Sequence, residues 1–260
     1  MQIHNGKTLS IYCVADNSKI VSQYNLNGLT GLFSLYNIED NHKNSLDNLQ
    51  VIFEDLTAPY FIFKNKIKTD YVGFCQYNNM PQFDLDNFFN ENGISLGYTI
   101  GNESLENFLS KPFNNFLKED FYNYVTKNYK KTSRIYKYFI KGKSTPVPYY
   151  IGRIFMCKWD IFEEIIGCVV GFIDYINETY ELKYEENEWH YFILDNFIDA
   201  KLTKGVQPTE GFLLNDGGRN LWKIMVFMFE IIIGVYFGHL VTELNLPQYS
   251  FNPDEDNKSE

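Results

Sequence analysis

The chain has 260 residues, enough for one large domain or two small ones, and its hydrophobic share of 45% excludes wholesale disorder. A formal net charge of −10 excludes a general attraction for phosphate backbones, so nucleic acid is not an expected partner. The four cysteines (Cys13, Cys75, Cys157 and Cys168) include no CxxC pair, which argues against a zinc site and for buried free thiols in a reducing compartment.

The first ten residues, MQIHNGKTLS, hold no apolar run, so no secretory signal is expected and the cytoplasm is the expected location. Residues 9–15 (LSIYCVA) read as a buried first strand that ends at Asp16, Asn17 and Ser18. Residues 25–48 are polar and Asn-rich, and read as an irregular excursion. Residues 55–66 read as a helix, with Asp55 or Thr57 as its cap and Pro59 near its first turn. A second buried strand follows at 70–76 (DYVGFCQ), and the turn formers of 77–83 take the chain out of the sheet.

Aromatic residues at three- and four-residue spacing predict one or two helices over 105–139. The prolines of 144–148 (STPVP) predict a stiff, extended linker. A strand at 151–156, a helix at 159–176 and a further helix at 185–199 come next. Residues 221–241 have the length of a bilayer span, but Lys223 near one end and Glu230 near the centre favour a helix of the protein core. Gly234 and Gly238 form a GxxxG that suits either membrane packing or close packing in a core. Residues 1–246 are therefore expected to form one domain, followed by an acidic tail over 247–260. Strands alternating with helices predict an α/β fold, a Rossmann-like, mostly parallel sheet flanked by helices. Such sheets bind ligands at the carboxyl ends of their strands, here 15–18 and 76–79.

Neither glycine-rich phosphate loop is present, and Gly217-Gly218 before Arg219 reads as a turn. The four histidines show no HExxH or HxH spacing, and His190 is either a base or a structural histidine. Asp84 and Asp86 form an Asp-x-Asp that either holds Mn²⁺ or Mg²⁺ against a diphosphate or caps a helix. Lys223 and Glu230, seven apart, share one helix face, where they either meet polar partners or border a site. Six Lys and one Arg crowd residues 127–143; they form either a solvated face or a patch for an anionic substrate or membrane surface.

Four stretches together resemble a family of glycosyltransferases of capsular and exopolysaccharide biosynthesis, catalogued as a domain of unknown function. Its Glu-x-x-Thr-x-x-Tyr-x-x-x-Lys-Asn stretch stands here as Glu54, Thr57, Tyr60, Lys64 and Asn65. Its Asp-Tyr-Ile-Gly-Leu strand is matched by Asp70, Tyr71, Val72, Gly73 and Phe74. A later strand and Phe-rich helix look like 152–157 and 159–172, and a terminal helix with a basic residue seven before a Glu is similar to Lys223 and Glu230. The family's His-Tyr-Arg-Arg-Tyr-Phe is here Gln76, Tyr77, Asn78, Asn79, Met80 and Pro81, so the Tyr remains and the two Arg are replaced by uncharged donors.

The resemblance implies a GT-A-like fold and transfer of a hexose-type unit from a nucleotide sugar to a glycan or lipid-linked acceptor, with peripheral membrane association at the inner face. Ala15, Asp16 and Asn17 would then meet the base and ribose, and Gln76, Tyr77, Asn78 and Asn79 the diphosphate. Asp70 and Glu230 would activate the acceptor or orient these groups, with Lys64, His190 and Lys223 as further candidates. The 76–79 turn is expected to matter more than Asp84 and Asp86. The alternatives are a non-catalytic nucleotide- or glycan-binding relative, or a membrane-associated assembly subunit.

Overall fold

The computed structural model describes residues 2–4, 6–15, 17–24, 33–40, 42–77, 88, 93–97, 99–110, 115–150, 154–202 and 224–246. The expected acidic tail lies outside them.

Strand β1 (Gln2–His4) pairs antiparallel with the first three residues of β2 (Lys7–Ala15). The rest of that edge of β2, Ile11 to Ala15, pairs in parallel with β3 (Phe33–Asn37). The other edge of β2 pairs in parallel with β4 (Tyr71–Gln76), which pairs antiparallel with β8 (Phe155–Lys158). Strand β5 (Ile94–Leu96) closes the six-stranded sheet against β8, also antiparallel. Four strands thus run one way, and β1 and β8 run against them. The expected parallel majority is present, and the sheet is mixed.

Strand β2 is almost continuously apolar and buried on both faces, as a central strand covered by two layers must be. On one face, helix α1 (Ser18–Gln23) places Val21 over Leu9, Ile11, Cys13, Ala15 and Cys75. The opposite face is covered by α3 (Thr57–Lys64) and α7 (Trp159–Thr179), which pack on each other and enclose Val14, Val72, Phe74 and Phe155. Residues Gln50–Phe53 (α2) and the 3₁₀ turn Glu54–Leu56 lead into α3. A two-stranded ribbon of β6 (Thr99–Glu103) and β7 (Val147–Tyr150) lies beside the main sheet. Between them come α4 (Leu105–Leu109), α5 (Lys118–Asn128) and α6 (Arg134–Tyr136), which runs on as a π-helical turn over Lys137–Lys141. Helices α8 (Glu186–Leu202) and α9 (Ile224–Leu244) complete the fold.

Several expectations are corrected here. Residues 25–48 are not wholly irregular, because Phe33–Asn37 form β3; its short apolar stretch gains its ladder from β2 rather than from local propensity. The 144–148 linker ends in a strand, since β7 begins at Val147, and the helical stretch over 105–139 is three helices rather than one or two. The strand expected at 151–156 is shifted to Phe155–Lys158. Thr57 does not accept a capping bond; its hydroxyl donates to the Glu54 carbonyl at 2.7 Å.

The long apolar helix is a core element. Met225 to Leu244 is long and apolar enough to cross a bilayer by length and composition, yet most of it is buried against β7, α7, α2 and α4. A side chain at Gly234 or Gly238 would overlap the carbonyl oxygens of Tyr150 and Pro148, so the GxxxG lets the β7 backbone lie directly on the helix.

Candidate functional site

The carboxyl ends of β2, β3 and β4 meet at one edge of the sheet, because Ala15 pairs with Asn37 and Val14 with Gln76. Strands β3 and β4 leave β2 on opposite sides, which makes β2 a topological switch point with a crevice outside its end. Residues 9–14 pair in parallel with 71–76, so the two apolar runs that read as strands lie side by side.

Asn17 follows Ala15 in extended conformation and caps α1, its Oδ1 accepting from the Ile20 N–H at 3.0 Å. That bond uses the carboxamide oxygen and leaves the NH₂ group as a donor. Ser18 N–H donates to Glu39 Oε2 at 2.7 Å, which ties the turn after β3 to the start of α1. Hydrogen bonds from Ser18 hold the exposed Glu39 carboxyl below the usual range. Asn37, the last residue of β3, is buried and donates from Nδ2 to Asp40 Oδ1 at 3.0 Å. Its buried Oδ1 has no hydrogen-bond partner within the protein. A buried carboxamide oxygen without a partner, at a strand end, is an unsatisfied polar group beside the crevice.

Across the crevice, the half-buried Gln76 side chain donates from Nε2 to Asp55 Oδ2. Asp55 stands in the Glu54–Leu56 turn, where Glu54 adopts a positive φ of 39°, a costly conformation for a side-chain-bearing residue. The Tyr77 ring lies 5.0 Å from the Tyr24 ring at the end of α1, so the exits of β2 and β4 touch. Glu230 is buried in the first half of α9. That helix packs on Gln50–Leu56, the segment that carries Asp55, with Phe229 against Phe53 at 6.1 Å.

Other predicted residues lie elsewhere. Asp70 precedes β4 at its amino end, roughly 20 Å along the strand from Gln76. Its carboxylate accepts from Thr8 N and Oγ1, both at 2.8 Å, and these bonds hold the carboxyl below the usual range. It borders a surface cavity of about 630 Å³ with Lys7, Lys68, Lys158 and Glu163, on the far edge of the sheet. Asp70 thus fastens two strand starts, at the end of the strands opposite the crevice.

Lys64 ends α3 and ion-pairs with Asp174 of α7 at 2.7 Å. Burial alone would lower its pKa, but Asp174 and Tyr60 raise it on balance. Asn65 Nδ2 donates to the Phe61 carbonyl at 3.0 Å. The Tyr60, Lys64 and Asn65 part of the family-like stretch thus braces α3 and does not reach the crevice. His190 lies on α8, 3.8 Å from Glu186. Asp16, Asn78, Asn79, Asp84, Asp86 and Lys223 lie outside the described residues. Among the described residues no group of three or more His, Cys, Asp or Glu could hold a metal ion, and Asp55 is already engaged by Gln76.

The sequence reading missed Asn37, Glu39 and Asp55. Asn37 and Glu39 were lost with β3 in an Asn-rich stretch, and Asp55 was read only as a helix cap. A carboxylate two residues before a helix that returns from the strand ends was the available signal.

No protein-family profile matches the chain, and no curated protein matches it. Among solved structures it is similar to the chain titled "WbbM bifunctional glycosytransferase apo structure", with a TM-score of 0.44 and 14% identity over 94% of this chain. It spans 43% of that chain's length.

Proposed function

We propose that the chain is a GT-A-like glycosyltransferase that holds a nucleotide sugar across the ends of β2, β3 and β4. The observation that carries the reading is the convergence of Asn17, Asn37, Gln76 and Tyr77 at a topological switch point, with Asn37 Oδ1 unengaged. Asn17 and Asn37 present carboxamides suited to a nucleobase and ribose, and the Tyr24 and Tyr77 rings, tilted at 53° to each other, offer aromatic faces. Gln76, held by Asp55, and the Asn78 and Asn79 that follow it in the chain supply donors for a diphosphate.

In the transfer, an acceptor hydroxyl oxygen bonds to the anomeric carbon as the bond to the diphosphate oxygen breaks, releasing a nucleoside diphosphate. The hydroxyl proton passes to a carboxylate, and Glu230 is the candidate because its helix packs on the Asp55 turn. Asp70 has no part in this scheme. A glycan or lipid-linked acceptor fits the family resemblance. A second reading, a nucleotide- or glycan-binding relative without activity, is favoured by one observation: Asn78 and Asn79 stand where the family has two Arg. The reading as a membrane-associated assembly subunit that uses its last helix is disfavoured by the burial of most of that helix.

The test is a thermal-shift screen against UDP-, GDP-, CMP- and dTDP-sugars, with and without Mn²⁺. One nucleotide class is expected to stabilise the protein, by about 2.7 kcal/mol at 100 times its Kd. Asn37→Ala and Gln76→Ala should each weaken that binding about tenfold, the scale of one lost hydrogen bond. Asn78→Ala with Asn79→Ala should abolish it, whereas Asp84→Ala should not. Loss of binding with chelator and with Asp84→Ala or Asp86→Ala would instead assign a metal-held diphosphate. Binding without donor hydrolysis selects the second reading, and no shift with any sugar nucleotide overturns the first and leaves only a glycan-binding relative.

A further inference from the structure

The positive charge of this acidic chain is gathered in one stretch. Residues 121–159 hold nine of the 23 Lys and Arg and none of the 33 Asp and Glu. The seven of these charges within residues 127–143 fall into two groups. Arg134, Lys137 and Lys143 are spent on carboxylates of other elements, pairing with Glu164 at 2.7 Å, Glu243 at 2.6 Å and Glu106 at 3.2 Å. Lys127, Lys130, Lys131 and Lys141 are exposed, and no described carboxylate pairs with them.

Three of those four lysines fall within five residues, where α5 ends and the chain turns toward α6. Residues 126–128 and 130–132 are exposed there, with Tyr129 half-buried between them. The turn has a defined shape, since Ser133 Oγ donates to the Lys130 carbonyl at 2.8 Å and accepts from Tyr136 N–H at 3.2 Å. Lys137, in the adjoining helical turn, pairs with Glu243 in the last turn of α9. Along that helix Glu243 lies thirteen residues from Glu230, roughly 20 Å. The basic corner adjoins Arg134, whose partner Glu164 lies near the start of α7, at the end of the sheet that carries Asp70 and not at the crevice.

We propose that this corner, Lys127, Lys130 and Lys131, docks the protein onto an anionic phospholipid surface. Charge complementarity carries the assignment, because lysines without carboxylate partners attract a negatively charged leaflet at about fivefold in partitioning per residue. A planar surface is favoured over a soluble polyanion by where the acidic charge lies. A flexible polyanion that followed the lysines would next meet the rest of the chain, which carries every Asp and Glu. A flat leaflet can rest on the exposed corner alone and leave the acidic remainder in solvent.

The experiment is co-sedimentation of the full chain with vesicles of pure phosphatidylcholine and with vesicles about one-third phosphatidylglycerol. Binding is expected to the anionic vesicles alone and should be lost in high salt. The triple variant Lys127→Gln, Lys130→Gln, Lys131→Gln should bind about 100-fold more weakly, at about fivefold per lysine. A matched variant with Lys43→Gln, Lys66→Gln and Lys183→Gln, at exposed positions elsewhere, changes the net charge equally and should bind as the parent does. Equal losses in the two variants, equal binding to neutral vesicles, or no binding to anionic vesicles would each overturn the proposal. So would tighter binding to a single-stranded oligonucleotide than to the vesicles. Unchanged circular dichroism of both triple variants separates lost docking from lost folding.

Discussion

His239 shows how burial sets a single residue's protonation. Its ring is stacked on Tyr138 with centroids 5.0 Å apart, and its Nε2 is buried without a hydrogen-bond partner. Burial lowers its pKa to about 4; Glu243 opposes that shift and Lys137 adds to it. The unfolded chain takes up this proton near pH 6.5 and the folded protein only near 4, so the unfolded state binds more protons between those values. Stability from this residue is therefore complete above pH 6.5 and falls as the pH drops toward 4. Urea midpoints at pH 7.5 and pH 5 should differ less in His239→Phe than in the parent. Equal differences would mean that the imidazole takes up its proton alike in the folded and unfolded states.

At the scale of elements, α9 and β7 show two sequence signals resolved by contact. The GxxxG suits a membrane interface or a tight core, and here the carbonyls of Pro148 and Tyr150 rest against the two glycines. Gly238→Ala would gain about 1 kcal/mol of helix propensity, but its methyl would meet backbone that cannot rotate away. Overpacking of that kind costs about 3 kcal/mol, so the clash outweighs the propensity. Gly234→Ala should behave alike. Chemical denaturation should show a net loss of about 2 kcal/mol in each variant, and a gain in either would mean that the helix and ribbon separate at little cost. The same contact accounts for Pro148 within a strand, since β7 pairs with β6 and turns to the helix instead of to another strand.

For the molecule as a whole, the four cysteines report on closure of the fold. Cys13, Cys75, Cys157 and Cys168 are all buried and unpaired by disulfides. Burial pushes the Cys168 thiol up to about 12 and the Cys157 thiol up as well, so thiolate is scarce at neutral pH. Cys13 and Cys75 face each other on paired strands, and their mutual hydrogen bond lowers one thiol and raises the other. A thiol-reactive chromophore should label the folded protein slowly and reach four equivalents only in denaturant. Rapid labelling of one or two thiols without denaturant would show that part of the sheet opens well below the global unfolding free energy.

Much of this was legible in the chain itself. The two central strands followed from LSIYCVA and DYVGFCQ, because strands buried on both faces must be apolar almost throughout. Two long helices, Trp159–Thr179 and Glu186–Leu202, followed from length and apolar spacing, and the core setting of the third followed from Glu230. Tertiary structure alone decided that Phe33–Asn37 is a strand, since its ladder is supplied by β2 and nothing local distinguishes it from the loop around it. It alone fastened Asp70 to Thr8 and brought Asp55 to Gln76, because the ends of elements far apart in sequence meet only once strand order and direction are set. Apolar patterning records which residues leave water. Which polar residues then face one another depends on topology, which no local pattern carries.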